Sequence, residues 1–224
     1  GLVRDLTPGE MLGEVYEAQR QMGRPISSLV LMGIGEPLDN LQNVLAFLRI
    51  LSSEEGQNLS LRHVSLSTCG LVDGIRTLMK ERLGLTLSIS LHGADDETRS
   101  GIMPVNRRYP ISELMEVCRE YFRVTGRRIS YEYALIDGVN DSEAKARELA
   151  GLLRGQNCHV NLIPVNPVAE RETKRSSRAA VERFARLLGE LGINATVRRE
   201  LGSDIAAACG QLRRAGTPSP PLGG

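Results

Sequence analysis

Read by its hydrophobic and polar positions, the chain alternates short apolar runs with amphipathic stretches. Thr7-Pro8-Gly9-Glu10 opens the first stretch with a helix N-cap, proline at the first helical position and an acid at the third. Met11, Val15, Ala18 and Met22 then mark one helical face, and Gly23 and Pro25 end it. Leu29–Met32 reads as a strand that breaks into Gly33-Ile-Gly-Glu-Pro-Leu38. The same rhythm predicts helices over 41–51, 75–83, 95–100, 111–124 and 143–153, the last capped by Asp141 or Ser142. A final helix runs from a cap at Ser177 to Leu188. Strands are expected over 62–67, 85–91, 128–135, 158–163 and 193–198.

Six strands alternating with helices indicate βαβ units and a parallel sheet. Each predicted strand ends in polar or glycine residues, which favours an open, barrel-like arrangement whose ligand site collects those ends. A doubly wound sheet is the competing architecture, although no glycine-rich dinucleotide fingerprint follows the first strand.

Composition narrows the classes. With 224 residues, 41% hydrophobic and 25% charged, the chain has the make-up of one globular domain. No apolar run has transmembrane length and no leader is visible, so a cytoplasmic location and no membrane contact are expected. Aromatic residues are only 4%, too few for a base-stacking platform. The net charge of +1 hides an acidic first quarter and an arginine-rich last one. In the latter, Arg171, Lys174, Arg175, Arg178, Arg198 and Arg199 are a candidate phosphate-facing patch, with a solvated surface as the plainer reading. The four cysteines (Cys69, Cys118, Cys158 and Cys209) lie far apart, so spacing supports neither a disulfide framework nor a metal site.

Candidate chemistry sits at the strand ends. Gly35-Glu36, Ser67-Thr68, Ser90-Leu91-His92 and Asn166 offer a carboxylate, hydroxyls, an imidazole and an amide, a set suited to a zwitterion bearing a sugar. Each also has a bland reading: Glu36 as a solvated turn residue, the serines as backbone partners, His92 as a structural histidine. Cys209 lies among small residues in Gly202-Ser-Asp-Ile-Ala-Ala-Ala-Cys-Gly-Gln-Leu212, a candidate nucleophile if its thiolate is accessible. Local sequence alone leaves an inert thiol the safer reading.

Several stretches together resemble a known family. Met32-Gly-Ile-Gly-Glu-Pro-Leu38, Ser67-Thr-Cys-Gly70, Ser88-Ile-Ser-Leu-His92 and Met103-Pro-Val-Asn106 are similar to motifs of the RlmN/Cfr family of radical S-adenosylmethionine (SAM) enzymes. So are Glu132-Tyr-Ala-Leu-Ile-Asp-Gly-Val-Asn-Asp141, Asn161-Leu-Ile-Pro-Val-Asn-Pro167 and the segment around Cys209. They occur in family order along nearly the whole chain.

The resemblance implies an α/β fold, a partial, open parallel (β/α) barrel of radical SAM type without its first strand and N-terminal domain. It implies SAM contacts from Gly35, Glu36, Ser67, Ser90, Leu91, His92 and Asn166, and makes Cys209 the catalytic residue, methylated in transit. A second SAM, cleaved to a radical, then activates that methyl for C2 of adenine. The implied substrates are 23S rRNA at the peptidyl-transferase centre and tRNA next to the anticodon. A C8-directed resistance methyltransferase shares nearly all these motifs, and a non-catalytic SAM- or RNA-binding remnant is the third reading. The family's C-x-x-x-C-x-x-C loop, which holds a [4Fe–4S] cluster, has no counterpart here. No metal ligands are therefore expected in this chain, which is expected to be inactive alone. The intact enzyme would also need a flavodoxin- or ferredoxin-like electron donor. By the same reading residues 1–212 form an incomplete core with the cysteine-bearing extension, and 213–224 a disordered tail.

Overall fold

The computed structural model describes residues 4–32, 35–165 and 175–198. Its elements follow the predicted alternation: α1 (Pro8–Met22), β1 (Leu29–Leu31), α2 (Leu41–Ser52), β2 (Val64–Thr68), α3 (Val72–Lys80) and β3 (Thr86–Ser90). Then come α4 (Asp96–Ile102), α5 (Ile111–Thr125), β4 (Ile129–Leu135), α6 (Glu143–Leu153), β5 (Cys158–Pro164), α7 (Arg178–Glu190) and β6 (Ala195–Val197). The expected capping box forms, with Thr7 and Glu10 satisfying each other's backbone N–H groups. Of the two proposed caps for α6 the chain uses Ser142, whose hydroxyl accepts from the Lys145 N–H.

All six strands are parallel and lie in sequence order, β1 to β6. Successive neighbours that never reverse direction, joined by the right-handed crossovers such units adopt, keep the core-forming helices α2, α3, α5, α6 and α7 on one face. This excludes the doubly wound alternative, whose strand order must turn back. The sheet is unclosed, with β1 and β6 as its edges.

Period-two alternation explains the core. Leu66, Leu87, Ile89, Tyr131, Tyr133, Val160 and Leu162 face the helices, where they are buried against Leu48, Ile75, Leu114, Leu149 and Phe184. The intervening residues point to the opposite face, where most are polar, Val30, Ala134 and Ile163 being the apolar exceptions.

Some boundaries differ from those predicted, for local reasons. α3 starts at Val72, not Ile75, and runs through Gly74. A Cβ at Gly74 would lie 2.7 Å from Cβ of Leu38, so this glycine serves close packing rather than helix breaking. The helix stops at Lys80 because Arg82 turns left-handed, at φ 48°. Residues 61–63 form a 3-10 turn, and β2 begins only after it.

Candidate functional site at the carboxyl edge of the sheet

Parallel strands place all their carboxyl ends on one edge. At β1 the backbone passes through Gly35 at φ 143°, a conformation glycine tolerates, and presents Glu36. One carboxylate oxygen of Glu36 accepts from the Cys69 N–H at 2.7 Å and the other from the Leu38 N–H at 3.0 Å. Glu36 therefore ties the end of β1 to the end of β2. A carboxylate has about four acceptor positions, so two such bonds leave room for a cationic ligand group.

Across the polar face, register aligns two rows. Ser67 stands level with Ser88, Ser130 and His159; Ser90 stands level with Glu132, Asn161 and Thr196. Within them Asn161 donates to Glu132 at 2.7 Å, and the Thr196 hydroxyl lies 3.0 Å from Nε2 of His159. Burial raises the Glu132 carboxyl above its ordinary range, against the opposing effects of Asn161 and Arg198.

His92 is built in more firmly than a free ligand group. Its φ is 57°, its Nδ1 accepts from the Ala134 N–H at 3.0 Å, and its carbonyl accepts from Asn140 at 2.8 Å. Burial, aided by Arg99, pulls its pKa to about 4, so the ring is neutral and Nε2 carries the hydrogen. The Leu91 side chain is fully buried in the core, so only its backbone faces the edge. Ser67 and Ser90 both present hydroxyls on the polar side. Asn166 and Cys209 lie outside the described residues, as do Arg171, Lys174 and Arg199; of the remaining basic candidates, Arg178 pairs with Glu182.

A second layer, not singled out from the sequence as site residues, fixes these groups. Arg99 of α4 is fully buried. Its guanidinium donates to the Cys69 carbonyl at 2.7 Å, the Ser90 carbonyl at 3.4 Å and Oδ1 of Asn106 at 2.9 Å, while Nε has no partner. Asn106 in turn donates to Asp96 and Ser100. The clasp explains two glycines just past the strand ends: a Cβ at Gly70 would come 3.1 Å from the guanidinium, and one at Gly93 2.8 Å from the Arg99 backbone nitrogen. The Met103-Pro-Val-Asn106 stretch was the available signal for Asn106. For Glu132 and Asn161 it was the polar alternation of their strands.

The described donor set suits the amino-acid and nucleoside parts of SAM: the Glu36 carboxylate for its ammonium, and the Ser67 and Ser90 hydroxyls for its polar oxygens. It does not fit an iron–sulfur cluster, which needs several thiolates in one place. Among the described residues no three His, Cys, Asp or Glu side chains stand close enough to hold a metal. Burial pushes the thiols of Cys69 and Cys118 up to about 12, so neither offers a ready thiolate.

Known proteins bear on this geometry. The chain is 53% identical over 96% of its length to a probable dual-specificity RNA methyltransferase RlmN of Desulforamulus reducens. It is 51% identical over 97% to the protein so named in Lachnoclostridium phytofermentans. In each case it spans 61% of the relative's length. The crystal structure of a radical SAM methyltransferase from Sphaerobacter thermophilus superposes with a TM-score of 0.90 at 49% identity, covering 94% of this chain and 63% of that one. The profile of the Radical SAM superfamily matches residues 1–150, the stretch that carries β1 to β4 and the Glu36, Ser67 and Ser90 ends. By that match the chain belongs to the radical SAM superfamily.

Proposed function

We propose that the chain is the SAM-binding and methyl-carrying part of an RNA methyltransferase that modifies C2 of adenine in 23S rRNA and tRNA. The observation that carries the reading is the gathering of Glu36, Ser67 and Ser90 along one edge of a one-sided parallel sheet. The printed names of relatives at 51–53% identity support RNA as the substrate class.

In this reading Glu36 holds the ammonium of SAM, while Gly35 lets the ligand approach its backbone. Ser67, Ser90 and Asn166 orient the carboxylate and ribose, and Leu91 and His92 contribute backbone and a neutral ring. When bound, SAM supplies both the methyl group and, on reduction, the radical that activates it. Cys209 is the carrier, because sulfur accepts a methyl by displacement and a thioether methyl yields hydrogen to a radical. A serine there would be scarcely ionised and far less nucleophilic. Residues 1–212 supply this machinery and 213–224 form a tail. The cluster that SAM enzymes of this type use takes its ligands from outside the described residues. The intact enzyme works in the cytoplasm with a flavodoxin- or ferredoxin-like donor, and the 224 residues alone do not turn over.

The test is nucleoside mass spectrometry after incubating the reconstituted full-length enzyme with SAM, reductant and either an rRNA fragment or tRNA. The expected product is 2-methyladenosine. Finding 8-methyladenosine instead would replace the target atom, and SAM binding without any methylated nucleoside would favour the non-catalytic reading.

A further inference from the structure

The opposite edge of the sheet carries a basic cleft that the proposed chemistry does not use. Cys118 and Phe122 of α5 and Ile129 at the start of β4 form its apolar floor, in a cavity of about 280 Å³. Arg119, Arg123 and Arg154 stand around it, the last where α6 gives way to the turn at Gly155, φ 75°. Strand β4 begins here and ends at the other edge, so this cleft and the Glu36–Ser90 site lie at opposite ends of the parallel strands.

The charges around the cleft are uncompensated, and no carboxylate lines it. Arg4, Arg20, Arg49, Arg76 and Arg178 each reach a carboxylate. Among the described residues the guanidinium groups of Arg119, Arg123 and Arg154 form no ion pair or hydrogen bond, although Glu116 and Glu120 lie one turn away on α5. The carboxyl ends of α5 and α6 carry only partial negative charge, too little to neutralise three guanidinium groups. Gln156, with its Oε1 taken by the Tyr131 hydroxyl at 2.8 Å, contributes a fixed wall and no negative charge. A cleft with several forked donors, an apolar floor and no carboxylate is complementary to a phosphate group.

We propose that Arg119, Arg123 and Arg154 form a phosphate-binding site at the amino edge of the sheet, remote from the cofactor edge. The ligand is a phosphate carried by a small molecule such as a nucleotide or by an RNA backbone. The proposal stands on these side chains and does not rest on the methyltransferase reading.

The test compares the full chain with an Arg119→Gln/Arg123→Gln/Arg154→Gln variant. A control, Arg20→Gln/Arg49→Gln/Arg178→Gln, removes the same charge elsewhere. All six arginines are exposed, and thermal melts check that each variant folds. Pyrophosphate is titrated calorimetrically, and a fluorescent twelve-nucleotide oligoadenylate is titrated by anisotropy at several salt concentrations. The cleft variant should lose about tenfold or more in pyrophosphate affinity, while the control changes less than about twofold. Loss of oligoadenylate affinity as well, with a salt slope flatter by about two, would assign the phosphate to RNA; loss for pyrophosphate alone would assign it to a small molecule. Equal behaviour of the cleft variant and the control towards both probes, or no binding of either probe to the unmodified chain, overturns the proposal.

Discussion

Asn140 offers the sharpest test of how the cofactor edge is held together. It is fully buried in the loop after β4. Its Oδ1 accepts from the Ile136 N–H at 2.7 Å, and its Nδ2 donates to the carbonyls of Ala134 at 2.7 Å and His92 at 2.8 Å. One amide thus joins the end of β4 to the residue that follows β3. Asn140→Ala strands a buried N–H and removes the donor from two carbonyls. A buried unsatisfied group costs about 1–3 kcal/mol. The half-buried carbonyls of His92 and Ala134 recover part of that from water, which leaves about 3–5 kcal/mol in all. At roughly 2–4 °C per kcal/mol for a chain of this size, the melting temperature should fall by about 10 °C.

Asn140→Asp separates the bonds from the volume. Aspartate can keep the Ile136 bond, but its second oxygen would face two carbonyls and must be protonated to donate. Its folded pKa should therefore lie above the ordinary value of about 3.9. Stability from a raised carboxyl pKa is complete below the unfolded value and is lost as pH rises through the folded one. The deficit of Asn140→Asp relative to the unmodified chain should consequently be larger at pH 7 than at pH 5. His92, whose depressed value near 4 gives the chain the opposite trend as pH falls from about 6.5, titrates in both proteins, which is why the difference between the two proteins is the quantity compared. Urea denaturation followed by circular dichroism at both pH values measures this. A loss below about 1 kcal/mol for Asn140→Ala, or an aspartate deficit that does not shrink on acidification, would refute the reasoning.

In the full-length enzyme, Glu36→Gln should weaken SAM binding by about 1.5–3 kcal/mol, roughly ten- to 150-fold in Kd by equilibrium dialysis. An unchanged Kd would leave Glu36 as the group that ties Cys69 to the turn. Anaerobic treatment of the 224-residue chain with iron and sulfide should give no stable cubane spectrum, since the described thiols are scattered and none is a ready ligand; a stoichiometric cluster would contradict that. Cys118→Ala should cost about 1 kcal/mol of stability for a small buried void and leave methylation intact, whereas Cys209→Ala should abolish product. Methylation assays on the two variants decide it, and an active Cys209→Ala enzyme would remove that residue as carrier.

How far the sequence carried depended on whether the signal was local. Helix α6 was bounded correctly because Ser142 and the following apolar spacing act within a few residues. The strand ends were legible because glycine, proline and polar residues interrupt apolar runs. The predicted start of α3 falls three residues late; Gly74 lies inside the helix, and its reason, contact with Leu38, lies outside it. The polar positions could be read from strand alternation, but their alignment into rows could not, for a similar reason. Thr86–Ser90 alternates like a half-solvated strand, and only the register with β4 and β5 shows Ser90, Glu132 and Asn161 side by side. Arg99 was the hardest: within a short polar helix it reads as a surface residue. Its burial is set by the Cys69 carbonyl thirty residues earlier in the chain.

The central claim is that SAM binds at the carboxyl edge. It is tested most directly by crystals of the full-length, cluster-loaded enzyme grown with SAM, using sulfur and iron anomalous scattering to locate the ligand. The account predicts SAM within hydrogen-bonding reach of Glu36, Ser67 and Ser90, its ammonium towards the Glu36 carboxylate. SAM seated at the amino edge, or on the helical face of the sheet, would contradict it.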